Sequence, residues 1–248
     1  MQRCIDYIRF NHESEGFILS DEDEADIIAV LEKDKTADSL IEKYIVENSL
    51  VNHDYVASEK DFSYYENTRC LFNFFDIRDR AKLREIAIYI TAIRTAEMII
   101  YPIDGPFDLE RLKAIHSNLF SDIYPSAGML RTTTAAKRTE FCRPEYINSS
   151  AKEIFSKLRK DHYLRHLDRE SFINDLAYYM GEVEALHPFR NGNAPTARLF
   201  FWDLIYLAGY RIEWSQVDPD RLLEADICAI DGDYQPLIDV LEDVIYKK

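Results

Sequence analysis

The sequence predicts a mostly α-helical protein carrying one short β-hairpin. Three observations lead there. Several long stretches repeat apolar residues at the helical interval. The clearest is 170–186, where Phe172, Ile173, Leu176, Met180, Val183 and Leu186 share a face. Glycine (7) and proline (8) are scarce in 248 residues, which argues against an all-β or disordered chain. One stretch, 126–145, leaves the helical interval for Gly128, the β-branched run 132–134 and Phe141, a hairpin pattern.

The elements follow in order. Apolar Cys4, Ile5, Tyr7 and Ile8 predict a first helix over 3–10, and Gly16 ends it. Ser20 caps a second helix, with acids at 21–24 in its first turn and Ile27, Ile28, Val30 and Leu31 facing inward. Thr36 or Asp38 starts a third through Leu40, Ile41, Tyr44 and Ile45. Residues 52–63 lack periodicity and read as a linker. The chain therefore divides into an acidic helical segment, 1–57, and a core, 58–248. In the core, 79–101 is a long helix whose Glu97 is expected to pair with a cation. Residues 102–106 turn, and Asp108 caps a helix over 109–120 whose His116 reads as structural. Further helices are expected at 149–162, 195–207, 219–230 and 234–246.

Composition narrows the function. A net charge of −15 disfavours nucleic acid or an anionic membrane as partner, because both need clustered positive charge. Cys4, Cys70, Cys142 and Cys228 are far apart and form no Cys-x-x-Cys pair, so reduced cysteines in a cytoplasmic protein are expected. No apolar run reaches the roughly 18 residues of a membrane span.

The chain is organised around 187–198, His-Pro-Phe-Arg-Asn-Gly-Asn-Ala-Pro-Thr-Ala-Arg. A helix precedes it and a buried one, with Leu199, Phe200, Trp202, Leu204, Ile205 and Leu207, follows. Between them Pro188, Gly192 and Pro195 break the helical pattern. Asn193 is placed to cap the second helix, with Pro195 in its first turn. Unpaired N–H groups at that helix start, with the helix dipole, favour a phosphate. Gly192 lets backbone approach a ligand. His187 stands at the loop's mouth, where a side chain can take a proton near neutral pH. Asn191 and Asn193 offer polar groups to a metal or phosphate, and Arg198, one turn in, offers a bidentate fork.

This stretch resembles the signature of the Fic family, His-x-Phe-x-(Asp/Glu)-Gly-Asn-(Gly/Lys)-Arg-x-x-Arg, at His187, Phe189, Gly192, Asn193 and Arg198. The segments 65–97, 107–131 and 208–214 are similar to family segments too, so the resemblance covers about three quarters of the chain. It implies a Fic-type helical bundle with a hairpin flap. It also implies a protein adenylyltransferase moving AMP from ATP, with Mg²⁺, to a Ser, Thr or Tyr hydroxyl of a target protein or of itself. His187 would be the catalytic base. Arg190, Asn191, Gly192, Asn193 and Arg198 would hold the phosphates, and Asn191 also the metal. Thr132, Thr133 and Lys137 of the flap would bind the target backbone as an added strand. Leu222, Ala225 and Ile227, or Tyr234 and Leu237, would either wall an adenine pocket or serve as core.

Segment 11–16 resembles the family's inhibitory motif, (Ser/Thr)-x-x-x-Glu-(Gly/Asn), with Asn11 where Ser or Thr is expected and Glu15-Gly16 matching. By that resemblance 1–57 is a regulatory, antitoxin-like segment whose Glu15 opposes Arg198. The loop itself departs from the family at three positions. Asn191 replaces the acid that holds Mg²⁺, Ala194 replaces Gly or Lys, and Pro195 replaces an arginine. Weaker metal and ATP binding is expected, since an amide oxygen lacks a carboxylate's charge. Two alternatives stay open: transfer of another nucleotide moiety, including the γ-phosphate, and a catalytically weak protein-binding module. Aromatics on the N-terminal helices leave room for a homodimer.

Overall fold

The computed structural model of the chain describes residues 1–53 and 64–248. Most of the expected linker, and the division expected between residues 57 and 58, lie outside the described residues. The chain forms two compact units, Met1–Ile103 with His116–Met129, and Asp104–Ile115 with Leu130–Lys248.

The first unit is helical. It holds α1 (Gln2–Glu13), α2 (Asp21–Leu31), α3 (Ala37–Glu47) and α4 (Arg80–Ile100). The first three pack on α4. Ser20 and Asp23 form a reciprocal capping box at the start of α2, where acids also complement the helix dipole. Thr36 caps α3, and Asp79 caps α4 by accepting from the N–H groups of Ala81 (2.8 Å) and Lys82 (3.1 Å). Ile90, Ala92, Ile93 and Ala96 of α4 are fully buried. The cation that Glu97 was expected to meet is Arg94, at 2.8 Å. Arg94 also grips Asp122 (2.7 Å) and Asp38 (2.8 Å), tying α3 and the segment after α5 to α4. His116 is structural, accepting from the Gly128 N–H at 2.8 Å.

The second unit is built on α7 (Arg169–Leu186). Against it pack α6 (Ile147–Lys160), α8 (Asn193–Leu207), α9 (Pro219–Ile230) and α10 (Gln235–Val244). The remaining helix, α5 (Leu109–Phe120), starts in this unit and ends in the first. Gly181 of α7 is required by close approach: a Cβ there would lie 2.7 Å from the Tyr234 ring. Tyr234 is thereby committed to packing, and its hydroxyl donates to Glu182 at 2.6 Å. Leu222, Ala225 and Leu237 are buried as well.

Three expectations change. The 126–145 hairpin is reduced, among the described residues, to one isolated bridge, Ala136 with Glu140, around a turn at 137–139. Its flanks are drawn off to bond α7 instead. A two-stranded sheet does form, but between β1 (Tyr210–Ile212) and β2 (Ile245–Lys247), antiparallel with Arg211 opposite Tyr246. The helix expected to run to 246 stops at Val244, because a β-branched Ile245 pairs across to the strand after Gly209. Finally, Asn193 is the first residue of α8 rather than its cap; Gly192 takes the cap position.

Arg94→Met should lower the stability of the protein by about 2 kcal/mol in denaturant titration. Removing the cation strands Asp122 and Glu97 in partly buried sites, while exposed Asp38 loses little. An unchanged midpoint would show that the Arg94 cluster contributes nothing net.

Candidate active site

The site lies wholly in the second unit, where α7 ends and α8 begins. His187 caps α7 with φ 42° and ψ 59°, the left-handed region that a side-chain-bearing residue adopts at a cost of about 1–3 kcal/mol. Something must hold it there. Arg131, 2% exposed, does so. Its Nε donates to the His187 carbonyl at 2.6 Å, Nη1 to the Thr133 carbonyl at 2.8 Å, and Nη2 to the carbonyls of Leu186 (3.4 Å) and Cys142. The Arg131 N–H donates to the Pro188 carbonyl (2.9 Å), and the Cys142 N–H to the Ala185 carbonyl (2.9 Å). Phe141 lies flat on the His187 imidazole, ring centres 3.7 Å apart and 8° from parallel. Burial lowers the Arg131 guanidinium from its ordinary value, with like charge from Arg190 adding to this.

The loop then closes on itself. The Asn193 side chain accepts from the Phe189 N–H (2.9 Å) and donates to the Phe189 carbonyl (2.8 Å). It is 7% exposed, so its main work is to hold the loop, and a phosphate would meet backbone at this position. The Asn193 side chain, expected to face a phosphate, here bonds the Phe189 backbone. Gly192 sits at φ 67°, where glycine carries no steric cost. Thr196, fully buried, donates its hydroxyl to the Gly192 carbonyl at 2.7 Å. The first-turn N–H groups of α8 have no acceptor within the helix, and Pro195 contributes none. An anion bound at this loop would therefore meet the backbone of 192–194. Arg190 and Asn191 line the same loop, half-buried.

Behind the loop is a small cavity lined by Met180, Glu184, Ala194, Ala197, Arg198, Phe201, Leu222 and Asp226. Arg198 is thus placed beside two acids that sequence reading did not single out. Glu184 is 8% exposed, and its Oε1 lies 3.5 Å from His187 Nδ1. Burial opposes its charge, but contact with His187 and the positive fields of Lys137 and Arg198 outweigh burial and lower its carboxyl below the ordinary range. Asp226 goes the other way. Burial first, then the charge of Glu184, push its carboxyl up to about 8, against the opposing pull of Arg198 and Lys137. The two acids are thus pushed in opposite directions, Glu184 down by His187 and its cationic neighbours and Asp226 up by burial and the charge of Glu184.

The flap residues lie at the edge. Thr132, Thr133 and Lys137 are exposed, although the Thr133 carbonyl is taken by Arg131. The turn is tethered to α9: Arg138 grips Glu224 at 2.6 and 2.8 Å, and Thr139 donates to Asp231 at 2.9 Å. In the first unit, Asn11 is buried on α1, and Glu15 follows its end. Arg84 donates to both the Glu15 carbonyl and its carboxylate, the latter at 3.4 Å. Arg84 is a partner that the sequence did not suggest for Glu15.

Among the described residues no group of three or more His, Cys, Asp or Glu is placed to hold a metal ion. The single neutral amide oxygen of Asn191 suits a Mg²⁺ carried mainly by phosphate oxygens, not one caged by the protein. No helix among the described residues is long and apolar enough to cross a membrane. The four cysteines are free thiols.

Comparison with known proteins agrees with this geometry. The Fic/DOC family profile matches residues 106–205. The chain is 34% identical over 175 residues to the probable protein adenylyltransferase y4lH of Sinorhizobium fredii, covering 70% of this chain and 90% of that one. It is 38% identical over 161 residues to the protein adenylyltransferase VbhT of Bartonella schoenbuchensis, covering 64% of this chain but 34% of the relative. Among solved structures, the N-terminal Fic domain of a VirB-translocated Bep effector from Bartonella quintana, with bound ADP, superposes with a TM-score of 0.69. It shares 27% identity and covers 75% of this chain and 94% of the other. This chain belongs to the Fic/DOC family.

The raised carboxyl of Asp226 has a consequence for stability. Between the unfolded value of about 3.9 and the folded value, the folded protein holds a proton that the unfolded chain has released. Stability from this group therefore falls as pH rises from about 4 towards 8. Asp226→Asn removes that titration, so its denaturation midpoint relative to the parent should climb between pH 5 and pH 8. A parallel pH dependence in both proteins would contradict the shift.

Proposed function

We propose that this chain is a protein adenylyltransferase that moves AMP from ATP to a Ser, Thr or Tyr hydroxyl of a target protein or of itself. The observation that carries the reading is His187, clamped in a left-handed cap at the mouth of a backbone anion nest. The names of the relatives and the ADP bound in a neighbour support the choice of nucleotide.

In this reading the imidazole of His187 takes the proton of the target hydroxyl. The freed oxygen attacks the α-phosphorus, the new P–O bond forms, and the bond to the β-phosphate oxygen breaks with pyrophosphate leaving. Backbone N–H groups of 192–194 face the charge on the transferring group. Arg198 orients the γ-phosphate, and Arg190 adds positive charge at the loop. Mg²⁺ bound with the phosphates and Asn191 would offset charge on the leaving group. Exposed backbone near Thr132 and Lys137 would receive the target segment as an added strand. By the resemblance of 11–16 to the inhibitory motif, Glu15 would act as a restraint on the reaction.

Asn191 and Pro195 motivate a second reading, in which the nucleotide sits reversed and the γ-phosphate is transferred. The test uses ATP labelled at the α or the γ position, with Mg²⁺, on the parent, His187→Ala and Glu15→Ala. Retention of α-label by protein, loss of at least about a hundredfold in His187→Ala and a gain in Glu15→Ala are expected. Retention of γ-label alone would favour the second reading. Unchanged labelling in His187→Ala would remove the proposed base.

A further inference from the structure

Taking His187 as the base of the proposed reaction, we propose that Glu184 is its positioning residue, the group that decides which ring nitrogen carries the proton. Glu184 lies outside the signature stretch, three residues before it. Glu184 stands in the last turn of α7 and His187 caps that helix, and their side chains approach to 3.5 Å.

Three observations converge on it. His187 Nδ1 is buried and meets no partner at ordinary hydrogen-bond distance among the described residues, and Glu184 Oε1 stands 3.5 Å away. Such bonds in a nucleotide-free site are commonly long and tighten in the reacting complex. The Phe141 ring, stacked at 3.7 Å, covers one face of the imidazole and limits how it can tilt away from Glu184. Arg198 lines the same cavity as Glu184, with Asp226 beside them, and supplies positive charge that favours Glu184 as a carboxylate acceptor.

The chemical reason is simple. A neutral imidazole carries one proton, on Nδ1 or on Nε2. A base that works through Nε2 needs that nitrogen bare, so the proton must be kept on Nδ1. A carboxylate accepting from Nδ1–H keeps it there and then stabilises the imidazolium formed when the hydroxyl proton arrives. A backbone carbonyl would do the first task and not the second, and the last carbonyls of α7 are already engaged by Arg131.

The test is ¹⁵N NMR of histidine-labelled protein without nucleotide, at a pH where the ring is neutral, with His187→Ala used to assign the signal. Glu184→Gln keeps an acceptor, and Glu184→Met removes it at similar volume. The parent and Glu184→Gln should hold the proton on Nδ1, and Glu184→Met should move it mainly to Nε2. An Nε2–H ring in the parent, or an unmoved tautomer in Glu184→Met, overturns the proposal. Should Glu184→Met not fold, the parent tautomer still decides. AMP transfer should fall by about tenfold or more in Glu184→Met and recover in part in Glu184→Gln. A tautomer that responds to Glu184 in a protein that transfers no AMP would sustain this assignment and sink the reading of the reaction.

Discussion

The site depends on one guanidinium. Arg131 is nearly sealed from water, and its guanidinium donates to the main-chain carbonyls of His187, Leu186, Thr133 and Cys142. Two of those carbonyls end α7, where a helix leaves its last acceptors unpaired and its dipole favours a cation. The same side chain thus satisfies the helix end, holds His187 in a left-handed conformation, and fixes both flanks of the 131–142 segment against α7. Hydrogen bonds to a charged donor contribute about 1.5–3 kcal/mol each where they are well made. A few of them are enough to offset the strain at His187.

Around that clamp the charges are balanced locally. Arg198 and Lys137 bring positive charge; with His187 they lower the carboxyl of Glu184 against its burial, while burial and Glu184 raise that of Asp226. The signature acid and one signature arginine are replaced by Asn191 and Pro195, so the loop has lost one charge of each sign. The acids behind it belong to α7 and α9 instead. The tether of Arg138 to Glu224 links the flap turn to the helix that carries Asp226.

Much of this was legible in the sequence. Periodicity and caps located α2, α3, α4 and α7, because Ser20, Thr36 and the apolar faces of α4 and α7 all act locally. The signature stretch located the loop. What escaped reading was set by tertiary contact. The 126–145 hairpin loses most of its ladder because its flanking backbone bonds α7. Residues 210–212 and 245–247 pair across 32 intervening positions, and no local pattern announces that. Asn193 reads as a cap, but its amide finds both polar groups of Phe189 and leaves the cap to Gly192. Glu184 and Asp226 look like ordinary exposed helix acids until α9 folds over α7. Arg131 was visible within a similar family segment, but its partners are main-chain atoms, which carry no sequence signal.

The most direct test of this account is hydrogen exchange, read by mass spectrometry, on the parent and Arg131→Met. The clamp predicts that amides of 131–142 and of 187–193 lose protection together while α4 is unchanged. Loss confined to one of the two segments, or to neither, would mean that Arg131 does not hold the flap and the catalytic loop as one unit.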